Sequence, residues 1–261
     1  KNIHKLEPES IISLSWKLHG TSFVSSKILC KRQLKWYERS AKRIGISVRE
    51  EEYGNIYSSL KVVKNGFHNA NPAHFYGYDL WKDINERFEA NLLDGETIYG
   101  EAVGYTKDGG QIQKGYDYGC EPNQFKTFIY RITHTSTKGK TIDLPFFMVE
   151  ERAKQLGTEV VPPIFFGKAE NFLAKEPEMD IRDWKEAFLE LLKVRYVHDQ
   201  DCQFCKNKVP AEGIVLRIEG LQPEALKLKA FRFLEHETKE LDKGITNIED
   251  NQDEQDTTPA A

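Results

Sequence analysis

The chain has 261 residues, a net charge of −4 and four cysteines. It is long enough for one large domain or two small ones, and fifteen Phe, eleven Tyr and four Trp supply a real core. No stretch reaches the roughly 20 apolar residues of a membrane helix, and the start, Lys1-Asn2-Ile3-His4-Lys5, has no signal-peptide pattern. Four irregularly spaced cysteines do not form a secreted disulfide framework and point to a reducing, cytoplasmic setting. The negative balance argues against a broad nucleic-acid surface, but it is concentrated. Glu235 to Asp256 holds nine acidic residues against two lysines, and the remainder is slightly positive. The chain begins without Met only sixteen residues before Lys17, as expected of a piece of a longer protein.

In chain order, Ile11 to Trp16 reads as a strand, with Lys17 at its end and a turn at Gly20. Lys27 to Ile44 is predicted as a basic amphipathic helix: Leu34, Tyr37, Ala41 and Ile44 share a face, and Gly45 is the stop. Cys30 falls inside it, as do Lys31, Arg32, Lys35, Arg39, Lys42 and Arg43. That basic set reads either as a solvated face or as a track for phosphates. Asp79 to Leu92 is a second predicted helix, with Leu80, Ile84, Phe88 and Leu92 on one side. Glu96 to Tyr105 alternates like a strand and ends at Asp108-Gly109-Gly110. Lys126 to Thr135 is another strand. Leu144 to Leu156 and Ile181 to Val197 read as helices, and Val161 to Phe166 as a short strand broken by Pro162-Pro163. Gly213 to Glu219 and Leu226 to Phe233 read as strands around a loop at Gly220 to Pro223. The fold class is α+β, built on antiparallel sheets flanked by helices. The domain is expected over residues 1–236, and 237–261 reads as an acidic tail of disordered composition.

Several residues have the chemistry for a site. A lysine amine attacks only when neutral, and its reference pKa is about 10.4, so Lys17 needs nearby positive charge or desolvation to become a nucleophile. Lys227 and Lys229 lie two apart on a predicted strand, so they face one side and suit phosphate oxygens. The competing reading is an exposed strand face. Glu101 and Glu212 each adjoin an apolar strand and read either as pocket carboxylates or as structural charges. Phe128 and Tyr130 share a strand face, where an aromatic stacks on a base or packs into the core. Cys202-Gln203-Phe204-Cys205, with His198 upstream and Cys120 elsewhere, offers a zinc pair without an obvious second pair, so two free thiols are the favoured reading.

Five ordered blocks carry a resemblance: Lys17-Leu18-His19-Gly20-Thr21, Tyr99-Gly100-Glu101, Phe128-Ile129-Tyr130-Arg131, Glu212-Gly213-Ile214-Val215 and Lys227-Leu228-Lys229. They resemble motifs I, III, IIIa, IV and V of the covalent nucleotidyltransferases, which include ATP-dependent DNA ligases, RNA ligases and mRNA capping enzymes. DNA ligases and capping enzymes typically carry Asp where this chain has His19. Lys-x-His-Gly-Thr is similar to RNA ligases of the phage RNA-repair and RNA-editing type, as is the text around Tyr57 to Asn65 and Phe75 to Asp79. The resemblance covers about Ser10 to Phe233.

It implies a nucleotidyltransferase domain with ATP and Mg²⁺ or Mn²⁺ as cofactors and RNA ends or a nicked duplex as partner. Lys17 and His19 would be catalytic, with Lys17 carrying the AMP. Trp16 and Leu18 would frame the adenine through backbone. Glu101 would meet the ribose or the metal's water shell, Tyr130 would stack on the base with Phe128 as runner-up, and Glu212 would face the metal. Lys227 and Lys229 would hold phosphates. Lys61 would replace an arginine the family usually has, without its bidentate fork. Arg131 stands where some relatives have an acidic residue. The resemblance implies a monomer in a bacterial or phage-infected cell. A DNA ligase of the same fold and a non-catalytic nucleic-acid-binding module are the alternatives, the first disfavoured by His19, the second by the retention of Lys17 and both carboxylates.

Overall fold

The computed structural model describes residues 3–59, 63–64, 79–173, 184–198 and 200–242. Two sheets face each other. The first has the order β11-β10-β1-β9, from β1 (Ile11–Lys17), β9 (Pro163–Lys168), β10 (Gly213–Ile218) and β11 (Glu224–Lys229). The second has the order β4-β3-β2-β5-β6-β7, from β2 (Thr21–Lys31), β3 (Glu51–Ser58), β4 (Val63–Lys64), β5 (Glu96–Gly104), β6 (Phe125–Thr135) and β7 (Thr141–Asp143). A short β8 (Glu159–Val160) adds to β6 in parallel, while the other pairings are antiparallel.

Strand periodicity decides what each sheet shows its neighbours. On the first sheet Ile12, Leu14, Ile214 and Leu216 point one way, into a core with Phe172, Phe188 and Leu192. These last three come from α4 (Ala169–Leu173) and α5 (Trp184–Leu192). The intervening residues Ser13, Ser15 and Lys17 point the other way, toward the second sheet. The second sheet packs Phe23, Ile98 and Ile129 against Trp81, Ile84 and Phe88 of α2 (Leu80–Phe88) and Val149 of α3 (Phe146–Gln155). Each such buried side chain contributes about 1.5–3 kcal/mol. Asp79 caps α2 by accepting from the Lys82 backbone N–H at 3.1 Å. Among the described residues no helix is long and apolar enough to cross a membrane.

Two expected elements differ. Lys27 to Ile44 is not one helix. Residues up to Lys31 belong to β2, hydrogen-bonded to β3 over its outer part and to β5 over its inner part, and α1 covers only Trp36–Arg43. The three-to-four spacing of Leu34, Tyr37, Ala41 and Ile44 is real, but Ile28, Leu29 and Cys30 satisfy their backbone in the sheet, which overrides helix propensity. Leu226 to Phe233 is likewise not one strand. Pairing ends at Lys229, the Ala230 N–H donates to the Glu212 carbonyl at 2.9 Å, and α6 (Phe231–Asp242) begins. α6 runs through the boundary expected at residue 236. Of the segment expected at Ile181 to Val197, residues 181–183 lie outside the described residues, Trp184–Leu192 is α5, and Lys193–Val197 continues it as a π-helix. Lys61 and most of the expected tail lie outside the described residues.

Gly213 is fixed by close approach. Its φ is +133°, and a Cβ there would lie 2.0 Å from the Leu228 carbonyl oxygen. Gly213→Ala should therefore lower stability by more than about 1 kcal/mol, read as a lower urea midpoint.

Candidate active site

A cavity of about 420 Å³ opens between the two sheets. Ser13, Ser15, Lys17, Val215, Arg217 and Lys227 line it from the first sheet, and Ser22, Glu101, Tyr130 and Arg131 from the second. The first group follows from the two-residue period of paired strands, whereas Tyr130 and Arg131 are consecutive and both face the cavity because the β5–β6 register shifts by one residue at Tyr130. Lys17 lies opposite Gly213, and Gly213 opposite Lys229; one step along, Ser15 lies opposite Val215, and Val215 opposite Lys227.

Lys17 forms an ion pair with Glu212. The carboxylate is nearly sealed, with 4% of its side chain exposed, while the amine keeps 21%, so the amine is the member that a ligand reaches. The turn after Lys17 is pinned on three sides. The His19 N–H donates to the Tyr118 hydroxyl at 2.6 Å. The Gly20 N–H donates to Glu101 Oε1 at 3.1 Å, and Gln113 Nε2 donates to the Gly20 carbonyl at 2.7 Å. Ser22 Oγ donates to Glu101 Oε2 at 3.0 Å. Glu101 therefore does two things: it fixes the turn and lines the cavity.

The expected residues do not all reach the cavity. Lys17, Glu101, Tyr130 and Lys227 line the cavity, as do Trp16 and Leu18, whose side chains also pack inward. The Trp16 ring meets Tyr196 at 5.6 Å and Phe204 at 6.2 Å, edge to face. Phe128 does not reach the cavity: it is 8% exposed and belongs to the core cluster against which Tyr130 packs. Glu212 sits behind Lys17. Lys229 is drawn aside, its Nζ 3.2 Å from both Glu237 oxygens of α6 and 5.3 Å from the Phe233 ring centroid.

His19 is also off the cavity wall. Its ring lies edge-on between Tyr116 and Phe233, each 4.9 Å away between centroids. Burial, reinforced by Lys17, Lys229 and His236, lowers its pKa to about 3. It is neutral near neutral pH and forms a packing bridge between the turn after Lys17 and α6.

Sequence reasoning missed the far wall. Arg131 makes a two-pronged pair with Asp143, Nε to Oδ1 at 2.5 Å and NH2 to Oδ2 at 2.9 Å. Arg217 donates to the Leu144 carbonyl at 2.9 Å and lies 3.6 Å from Asp143 and 3.7 Å from Glu219. Burial pulls the Arg217 pKa down, and the two carboxylates oppose that. The alternation Ser13-Leu14-Ser15-Trp16-Lys17 and the matching parity of Gly213, Val215 and Arg217 held this signal.

Cys202 and Cys205 are free thiols. Their mutual hydrogen bond brings Cys202 down to about 7 and, with burial, pushes Cys205 up. Among the described residues no three His, Cys, Asp or Glu side chains cluster as a metal site.

An RNA ligase family model matches residues 12–230, and the chain belongs to the RNA ligase family. Its fold is similar to that of a Naegleria gruberi RNA ligase, solved as an alanine variant with ATP and Mn. The TM-score is 0.50 and identity 13%, over 91% of this chain and 57% of that one. A second alanine variant from the same organism, solved without ligand, gives a TM-score of 0.51 at 13% identity, over 90% and 54%. The chain thus spans just over half the length of these proteins, and at that identity the likeness is one of fold. No curated protein matches the chain.

The His19 environment sets a pH window. Below its ordinary value of 6.5 the unfolded chain protonates His19, while the folded chain does not until about pH 3. The unfolded state binds the extra proton, so stability falls as pH drops through that window. His19→Gln should flatten this acid limb, measured as the urea midpoint at neutral pH and within the window. An unchanged slope would remove His19 as its source.

Proposed function

We propose that the chain is an ATP-dependent RNA ligase, or the adenylyltransferase domain of one, joining 3′-hydroxyl and 5′-phosphate ends. The observation that carries this is the Lys17 amine, which sits against a buried carboxylate and opens into a cavity that also presents Glu101, Tyr130 and Lys227. In the first step Lys17 Nζ bonds to the α-phosphorus of ATP and the bond to pyrophosphate breaks. The amine must shed a proton to attack, and Glu212 is the carboxylate in contact to take it. AMP then passes to the RNA 5′-phosphate, and the 3′-hydroxyl displaces it.

Tyr130 is the aromatic that faces the nucleotide; Phe128 supports it from the core. Lys227 meets phosphate oxygens directly. Lys229, held by Glu237, reaches them only by leaving that partner, which links α6 to phosphate binding. Glu101, on the cavity wall, is the carboxylate that would hold a divalent cation together with phosphate oxygens, with Glu212 behind Lys17 as the second acidic group. When bound, such a cation neutralises charge on the phosphates. The RNA, the monomeric state and the cytoplasmic setting belong to this same reading. The extent of the domain, about residues 1–236 followed by an acidic tail, belongs to it too.

Incubation with labelled ATP and Mg²⁺ should leave AMP bound to the denatured wild-type chain. Lys17→Ala should abolish the label. Because Lys17→Ala strands a buried carboxylate and costs stability, Lys17→Arg is the sharper test: the charge stays, the guanidinium remains protonated, and the label should still vanish. Labelling by a folded Lys17→Arg chain would reject the assignment.

Tyr130 and Phe128 can be separated by kinetics. Tyr130→Ala should raise the ATP concentration needed for half-maximal labelling at least fivefold, as loss of a stacking contact requires. Tyr130→Phe should keep the wild-type value, while Phe128→Leu should mainly lower the unfolding midpoint. The opposite pattern would make Phe128 the stacking ring.

A further inference from the structure

The β2–β3 hairpin extends well past the cavity and carries α1 between its strands. α1 has no buried residue. Trp36 is 75% exposed and Tyr37 50%, with Ile44 at 77% and Ile46 at 55% beside them. A solitary exposed aromatic is ordinary, but a cluster on and beside a helix with no buried residue is not. The cluster lies among cations: residues 31–52 hold seven Lys and Arg against four Glu. Two of these cations are spoken for, Arg32 by Glu38 and Lys42 by Glu50. Arg39 and Arg43 form no ion pair among the described residues. With Trp36 they occupy positions i, i+3 and i+7, so ring and guanidinium groups share one face.

We propose that α1 is a docking surface for single-stranded RNA flanking the joined end, with Trp36 stacking on an unpaired base and Arg39 and Arg43 holding phosphates. The proposal rests on the ligase reading above and adds where the strand runs. Charge complementarity selects a polyanion, and the exposed indole selects one with unstacked bases, since duplex bases offer no free face. The location sets a length. Ser22 lines the cavity, and Lys31 ends the same strand nine residues later, roughly 30 Å away at about 3.3 Å per residue. At about 3.4 Å per stacked nucleotide that is about nine nucleotides. A shorter strand cannot engage the cavity and α1 together.

The test uses the full chain and two variants, Trp36→Ala and Arg39→Ala with Arg43→Ala. Because α1 buries nothing, neither should disturb the fold, and lysyl-AMP formation without RNA should stay within about twofold of wild type. Binding is measured on fluorescent RNA single strands of about six and about 24 nucleotides, each with a 5′-phosphate, across a salt series. Trp36→Ala should weaken binding of the long strand at least fivefold, as loss of one stacked base requires, and leave the short strand unchanged. The double variant should lower the slope of log Kd against log salt by about 1.4, at about 0.7 per phosphate contact on a single strand. Unchanged long-strand affinity would overturn the proposal, and so would equal losses at both lengths. Loss of a concentration-dependent dimer, with RNA affinity intact, would overturn it in favour of a protein contact. A wild-type chain that binds RNA through α1 but never forms lysyl-AMP would sink the ligase reading alone.

Discussion

The antiparallel pairing of β1 with β10 is the constraint on which the site depends. Its register sets Lys17 opposite Gly213 and so brings Glu212, the residue just before the strand, against the Lys17 amine. Gly213 makes this possible because its neighbour across β11 leaves no room for a side chain. A shift of one residue would turn Ser13, Ser15 and Lys17 into the apolar layer and expose Ile12, Leu14 and Trp16 in their place. The register is therefore held by the apolar core on one face and by the ion pair on the other. Lys227 reaches the cavity by the same period, two residues before Lys229 on the next strand.

The second sheet and the segment between β5 and β6 supply restraint more than charge. Glu101, Gln113 and Tyr118 all hold the backbone of the turn that follows Lys17. A side chain beside a fixed turn loses little freedom when a ligand arrives, which is how positioning lowers a barrier. His19 belongs to this scaffold. Enclosed by Tyr116 and Phe233, it couples the turn to α6, and α6 in turn grips Lys229 through Glu237. The turn after Lys17 and Lys229 are thus tied to one C-terminal helix.

Much of this was legible from the chain because the site residues sit in strands with clear alternation. The alternation places β1, β5, β6 and β10 within a residue or two of their bounds, and Lys17, Glu101, Tyr130 and Lys227 line one cavity. What escaped depended on tertiary neighbours. A register shift at Tyr130 in the β5–β6 ladder separates it from Phe128, and no pattern in the sequence announces that bulge. Lys229 shares the parity of Lys227, yet a helix predicted as strand and tail takes hold of it. Residues Lys27 to Lys31 carry no clean alternation, and only their partners in β3 and β5 make them strand. Arg217 and Asp143 escaped because their value lies in each other's company across two sheets.

The contacts that define the site are also among the most distant along the chain. Lys17 and Glu212 are 195 residues apart, and Glu101 meets Gly20 across 81. Closing such loops is entropically costly and is offset only when both sheets and their cores have formed. Until then Lys17 is an ordinary solvated lysine, without its carboxylate and without the cavity. The hairpin that carries α1 is the opposite case: β2 and β3 are close in sequence, and α1 buries nothing. Its shape is set locally and its surface is free. A site that demands a fixed geometry is built from the most cooperative contacts in the fold, while a surface that must adapt to a flexible strand is built from the least.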